Sequence, residues 1–257
     1  MSDVQAVSDA LAMVAIPTAA TADVTTVAVL GVGRVGSAVA RAAMKAGYTV
    51  TVSASGDPDD IRLLTEIVIP GATPMQAADA ARAADLVVLA VPLHKFRTLP
   101  ADALAGKTVI DSMNYWAPVD GSIDEFDEDP RSTSEIVQEY LAASQVVKSL
   151  NHIGYHELEA DDRPAGAADR RALGLAGDSD SAKALVAEFI ERLGYDSIDA
   201  GDLSAGRHFH PGTAVFSGRH TAAEFAAILG GLAGASVPDE LGGTVSTSVV
   251  GDLVVVV

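Results

Sequence analysis

Gly31-Val32-Gly33-Arg34-Val35-Gly36 follows the apolar run Thr26 to Leu30 and opens an Ala-rich stretch from Val35 to Ala46. Three glycines at this spacing, set between a strand and a helix, have separate tasks. Gly31 permits the tight turn, Gly33 lets the backbone approach a pyrophosphate, and Gly36 lets the helix lie close to the strand. The unpaired N–H groups of the helix N-terminus then face the phosphates. All six residues of the turn, Val32, Arg34 and Val35 included, are candidate cofactor contacts.

Outward from this turn, short β-branched runs alternate with helical stretches, the signature of βαβ units around a parallel sheet. Strands are expected at Thr26 to Leu30, Thr49 to Ser53, Ile67 to Ile69, Leu86 to Val91 and Thr108 to Asp111. Each is short and almost wholly apolar, as a strand buried on both faces should be. Helices are expected at Val35 to Ala46, Pro58 to Glu66 and Pro74 to Ala83, the last two opened by Asp57-Pro58 and Thr73-Pro74 as cap and first helical residue. Beyond an acidic surface loop, Asp120 to Asp129, the pattern predicts a helix over Ser132 to Ala143 and strands over Gln145 to Ser149 and Ala172 to Ala176. An amphipathic helix follows over Ser181 to Leu193, then a strand over Ser197 to Asp199 and an apolar helix over Thr221 to Leu232. The expected fold is α/β, a Rossmann-type doubly wound parallel sheet with a small C-terminal α/β extension. Its parts are an N-terminal extension 1–24, a dinucleotide-binding domain 25–150, a small substrate-side region 151–235, and a tail 236–257 that closes on the valine run Val254 to Val257.

Composition narrows the function. The chain has 257 residues, 49% hydrophobic and 20% charged, the balance of a globular protein with a sizeable core. Its net charge of −18 repels nucleic acid and anionic lipid. No apolar run is long enough to span a bilayer and the start of the chain carries acids, so the expected location is the cytoplasm, with no membrane or nucleic-acid partner. Without cysteine there is no thiolate nucleophile or zinc-thiolate site, which leaves His, carboxylates, hydroxyls or a borrowed cofactor.

The end of the second strand decides between NAD and NADP, because a carboxylate there holds the ribose hydroxyls and repels a 2′-phosphate. Here it reads Ser53-Ala54-Ser55-Gly56, and Asp57, ahead of Pro58, is better explained as a helix cap. Two hydroxyls, Ser53 and Ser55, with Arg34 in the adjacent turn, favour NADP(H). Ala90-Val91-Pro92 ends the fourth strand where such folds pass beneath the diphosphate and nicotinamide ribose.

These features, with Val147-Lys148-Ser149-Leu150-Asn151-His152-Ile153, Leu175 to Lys183, Leu193-Gly194-Tyr195 and Asp199 to Arg207, resemble the NADPH-dependent reductases of coenzyme F-420, a deazaflavin. The resemblance runs from about Val27 to Thr213. It implies a Rossmann domain, a C-terminal part that completes a cleft, direct hydride transfer between NADPH and deazaflavin, and a homodimer. The chain departs from that group at Ser55-Gly56, where a Ser-Arg pair for the 2′-phosphate is expected, and in the longer, more aromatic loop Asn114-Tyr115-Trp116-Ala117-Pro118 with its acidic continuation. Those acids disfavour a polyanionic tail nearby, leaving a flavin, a small carbonyl or an imine open as acceptor. A non-catalytic NADP(H)-binding sensor or scaffold is the competing class.

Hydride transfer needs two rings at contact distance, with the protein supplying orientation, so no catalytic side chain is expected. Asn151 either holds backbone or carboxamide groups beside the nicotinamide or caps a helix over Gly154 to Leu158. Asn114, Tyr115, Trp116, His152, His208 and His210 are the candidates for the substrate side, the aromatic pair by stacking on a planar ring. The pairs His152/His156 and His208/His210 have spacings that can share a metal, but Gly154 weakens a helix joining the first pair and no nearby run supplies an obvious carboxylate ligand, so no metal is assigned.

Overall fold

The computed structural model describes residues 24–216 and 218–233. Extension residues 1–23 and the tail, including Val254 to Val257, lie outside the described residues. The described strands form one eight-stranded sheet in the order β3-β2-β1-β4-β5-β6-β7-β8. These are β1 (Thr26–Leu30), β2 (Thr49–Ser53), β3 (Thr73–Pro74), β4 (Leu86–Leu89), β5 (Thr108–Asp111), β6 (Gln145–Ser149), β7 (Ala172–Gly177) and β8 (Asp196–Asp199). The first six are mutually parallel, β7 runs antiparallel to β6, and β8 is parallel to β7. The strand order reverses between β1 and β4, the switch point at which open α/β sheets hold ligands beyond the strand ends.

Helices cover both faces. On one lie α1 (Arg34–Lys45), α8 (Glu157–Ala160) and α9 (Asp180–Leu193), packed on Val27, Val29, Val50, Ile110 and Val147. On the other lie α3 (Ala77–Ala83), α4 (Ala101–Leu104) and α7 (Thr133–Tyr140), packed on Ala28, Leu30, Val87, Val109 and Val146. Alternate residues of one strand thus feed opposite cores, which explains the continuous apolar runs. The apolar helix α10 (Ala222–Ala233) lies against β7 and β8 and closes a third, small cluster around Phe209 and Phe225.

The third strand is not where periodicity placed it. Ile67 and Val68 belong to the last turn of α2 (Arg62–Val68), and β3 is the two-residue run Thr73–Pro74. Proline is tolerated there because β3 is an edge strand with no outer neighbour to serve. Thr73-Pro74 is therefore not a cap; α3 starts after Gln76. Asp57 does cap, in a reciprocal box with Asp60 at the head of the short 3-10 helix Pro58–Ile61. The acidic loop is less featureless than its charge predicts. It forms α5 (Ala117–Asp120) and α6 (Asp124–Asp127), and Phe126 packs against the second core.

Candidate functional site

The C-terminal ends of β1, β2, β4, β5 and β6 lie on one edge of the sheet and bring the glycine turn, Ser53 to Gly56, Ala90 to Pro92, Asn114 and Asn151 to a common rim. The turn is fixed by Gly31 N–H donating to the Ser53 carbonyl at 2.8 Å and Ala90 N–H donating to the Leu30 carbonyl at 2.8 Å. Gly31 has φ +116°, and a β-carbon there would meet the Ala90 carbonyl carbon at 2.6 Å. One on Gly36 would lie 2.9 Å from the Gly31 carbonyl carbon and closer still to its oxygen. Both glycines are therefore demanded by the protein itself. Gly33 is different, since a β-carbon there meets nothing within 4 Å and its backbone is extended. Space over Gly33, at the N-cap of α1 and without a capping side chain, leaves the helix N-terminus open to an anion.

At the end of β2, Ser53 is buried while Ser55 and Gly56 are exposed. Asp57 and Asp60 are occupied with each other's backbone N–H groups, so neither is a free ribose ligand. Arg34 is exposed, its guanidinium 5.9 Å from the centre of the Tyr155 ring, on the side where the segment after β6 approaches the turn. Val32 and Val35 pack against the first core. Ala90 and Val91 are half-buried beneath the turn, and Pro92 begins the 3-10 helix Leu93–Thr98.

Asn114 and Asn151 are joined by their side chains. Asn114 Nδ2 donates to the Asn151 carbonyl at 2.7 Å, and Asn151 Nδ2 donates to Asn114 Oδ1 at 2.9 Å and to the Phe209 carbonyl at 2.7 Å. Both hydrogens of the Asn151 amide are thus committed to holding protein. Asn151 is not a helix cap either, because the N-cap of α8 is His156. The residue before it, Leu150, has φ +62°, a left-handed conformation that costs a leucine roughly 1–2 kcal/mol. It turns the chain at the end of β6 toward Asn114.

His152 corrects a second expectation. Its ring is 3% exposed and stacks on Phe209 at 4.8 Å, which leaves it no face for a substrate. Nε2 accepts the Gly174 N–H at 2.9 Å, so Nδ1 carries the proton and donates to Asn151 Oδ1 at 3.2 Å. Burial first, then the positive charges of Arg171 and Lys148, push its pKa down to about 3. The native state refuses a proton that the unfolded chain accepts, so stability falls as pH drops from the ordinary histidine value near 6.5 toward 3. The expected slope from His152 is about 1.4 kcal/mol per pH unit in that window. Urea unfolding of parent and His152→Gln at pH 7, 6 and 5 checks this, because the variant should lose that slope; equal slopes would sink it.

Tyr115 anchors the acidic turn. Its hydroxyl bonds Asp127 Oδ1 at 2.7 Å and accepts the Ile123 N–H at 3.1 Å, while its ring packs on Phe126 at 5.2 Å. Trp116 is half-buried and its backbone N–H donates to Asp120 Oδ2 at 2.7 Å. His208 and His210 are half-buried at the end of the 3-10 helix Leu203–Phe209, and His210 Nε2 lies 3.3 Å from Thr133 Oγ1. Burial first, then Lys148, lower His210 to about 4 and keep it neutral at pH 7.

The motifs passed over an ion pair. Lys148 and Asp111 are register partners on β6 and β5, both side chains fully buried, with Nζ 3.3 Å from Oδ2. A lysine and an aspartate inside apolar strands, at the ends facing the rim, were the available signal. A cavity of about 560 Å³, lined by Arg41, Lys45, Glu159, Asp162, Arg170 and Glu191, lies elsewhere. It opens at the C-terminal end of α1, one helix length of about 18 Å from the glycine turn. Among the described residues no group of three His, Asp or Glu side chains is arranged to hold a metal, and no helix is long and apolar enough to cross a membrane.

Residues 26–115 match the family described as NADP oxidoreductase, coenzyme F420-dependent. Among solved structures, the chain is similar to the hypothetical protein SMa0349 of Sinorhizobium meliloti, with 27% identity, TM-score 0.66, and coverage of 77% of this chain and 95% of that one. It is also similar to a protein of Arthrobacter sp. FB24 provisionally named an F420-dependent NADP reductase, with 28% identity, TM-score 0.59, and coverage of 72% and 88%. The 3-hydroxyisobutyrate dehydrogenase of Mycobacterium tuberculosis shares the fold at 18% identity and TM-score 0.52, over 72% and 57% of the two chains. No curated protein matches the sequence.

Proposed function

We propose, from the match of residues 26–115 to the NADP oxidoreductase, coenzyme F420-dependent, family, that the chain transfers a hydride between NADP(H) and a deazaflavin of the coenzyme F-420 type. The observation that carries this reading is the contrast within the glycine turn: Gly31 and Gly36 are required by packing, whereas among the described residues nothing requires Gly33, which faces open space at a helix N-terminus. Gly31 to Gly36 would hold the pyrophosphate, Ser55 and Arg34 the adenosine ribose and its phosphate, and Ala90 to Pro92 the nicotinamide ribose. When bound, the nicotinamide supplies the two-electron chemistry. The chain's own residues bind and orient: backbone N–H groups of the turn offset phosphate charge, and Asn114 with Asn151 builds the floor on the far side.

A second acceptor class, an uncharged flavin-like ring, carbonyl or imine, is favoured by the acidic turn that leaves the rim at Asn114. It carries Asp120, Asp124, Glu125, Asp127, Glu128 and Asp129 against Arg97 and Arg131. Calorimetric titration with NADPH and NADH, followed by mixing of the NADPH complex with oxidised deazaflavin, separates the cases. Tight NADPH binding with loss of nicotinamide absorbance supports the reductase. Binding without turnover moves the acceptor to the second class or the protein to a sensor role, and failure to bind either nucleotide overturns the reading.

A further inference from the structure

Lys148 and Asp111 hold one residue by both of its peptide groups. Asp111 Oδ1 accepts the Met113 N–H at 2.9 Å, and the Lys148 ammonium donates to the Met113 carbonyl. Ser134, from the first turn of α7, donates to Asp111 Oδ2 at 2.7 Å. Gly206 covers the lysine stem so closely that a β-carbon there would lie 3.0 Å from Lys148 Cβ and Cγ. Both charged side chains have no exposure at all, and a buried pair of this kind is a poor source of stability, since desolvation consumes most of its attraction. Its geometry has a more specific consequence. Met113 is the last residue before Asn114, whose side chain joins Asn151, and Asn151 in turn ties the segment at Phe209 to the same point.

We infer that Lys148 and Asp111 are positioning residues, an internal grip on Met113 that sets Asn114 and, through its amide pairing with Asn151, the floor on which the hydride acceptor rests. This rests on the oxidoreductase reading for its catalytic consequence and on the bonds to Met113 for the grip. Lys148 is lowered by burial and only partly restored by Asp111, so a neutral replacement of both partners is gentler than removal of one.

The test is the double variant Asp111→Leu/Lys148→Met, which removes both charges and both bonds to Met113 while keeping side chains of similar size. Backbone hydrogen exchange at Met113 and Asn114 should quicken by about tenfold while Val29 and Val88 in the central strands stay protected. NADPH affinity should stay within about threefold, whereas kcat with the acceptor should fall by about 100-fold with KM little changed, the signature of misplacement rather than lost binding. Unchanged exchange in the folded variant overturns the grip, and faster exchange with unchanged kcat overturns its catalytic role. If that double variant does not fold, the milder Asp111→Asn/Lys148→Met, which keeps an acceptor for the Met113 N–H and loses only the bond to its carbonyl, carries the same two measurements. If the parent binds no nucleotide, the oxidoreductase reading falls and the exchange pattern alone decides the grip.

Discussion

Gly33→Asp is expected to leave the free protein at least as stable as the parent while raising the Kd for NADPH by about a thousandfold. The stability half of this follows from the backbone. Gly33 is the N-cap of α1 with φ −71° and ψ −169°, an extended conformation open to any residue, and a β-carbon there has no neighbour within 4 Å. The cap is empty of side-chain hydrogen bonds, so an aspartate can accept an N–H from the first turn, worth a few tenths of a kcal/mol over glycine. The binding half follows from charge. A carboxylate about 4 Å from a pyrophosphate oxygen costs about 4 kcal/mol at the effective dielectric of a protein surface, which is about three decades in affinity. Thermal unfolding and NADPH calorimetry on one preparation read both. Unimpaired binding would move the cofactor away from this turn. Gly36→Ala is the contrast, because its β-carbon collides with the Gly31 carbonyl and should disturb folding before any ligand is added.

Opposite outcomes at two glycines of one motif show what the sequence makes legible. The apolar runs locate β1, β2, β4, β5 and β6 because each strand buries both faces, and the spacing of Gly31, Gly33 and Gly36 marks the turn that joins the first of them to α1. Where a segment leaves that regime, the pattern misleads. Ile67 and Val68 are β-branched yet exposed at the end of α2, and the true β3 is two residues with a proline. The acceptor side is harder to read, because its contacts join residues distant in sequence. Asn114 meets Asn151, Asn151 meets Phe209, and Lys148 meets Asp111 and Met113. Residue types at those positions announce polarity, but only the fold shows that His152 is sealed between Phe209 and the Gly174 N–H and is not turned to a ligand.

Ser55→Asp should reverse the preference between the two nucleotides. The rim at the end of β2 presents Ser55 and Gly56 to solvent, while the nearby acids Asp57 and Asp60 are held in their capping box and Asp59 is paired with Arg62. Among the described residues these acids are therefore engaged, and Arg34 is the cation carried by the adjacent turn. An aspartate at 55 supplies an acceptor pair for the ribose hydroxyls of NADH and sets a negative charge against the 2′-phosphate of NADPH. The ratio of the two Kd values should move toward NADH by about 100-fold, which corresponds to about 2.7 kcal/mol of differential binding. Folding should be untouched, since Ser55 is exposed and lies beyond the end of β2. Calorimetry with both nucleotides reads the ratio directly. If the ratio is unchanged, the adenosine ribose does not lie against the end of β2, and NADP(H) selectivity must come from Arg34. Arg34→Ala decides that second case, because it should then weaken NADPH alone; with Ser55 in control it should weaken both nucleotides by similar, smaller factors.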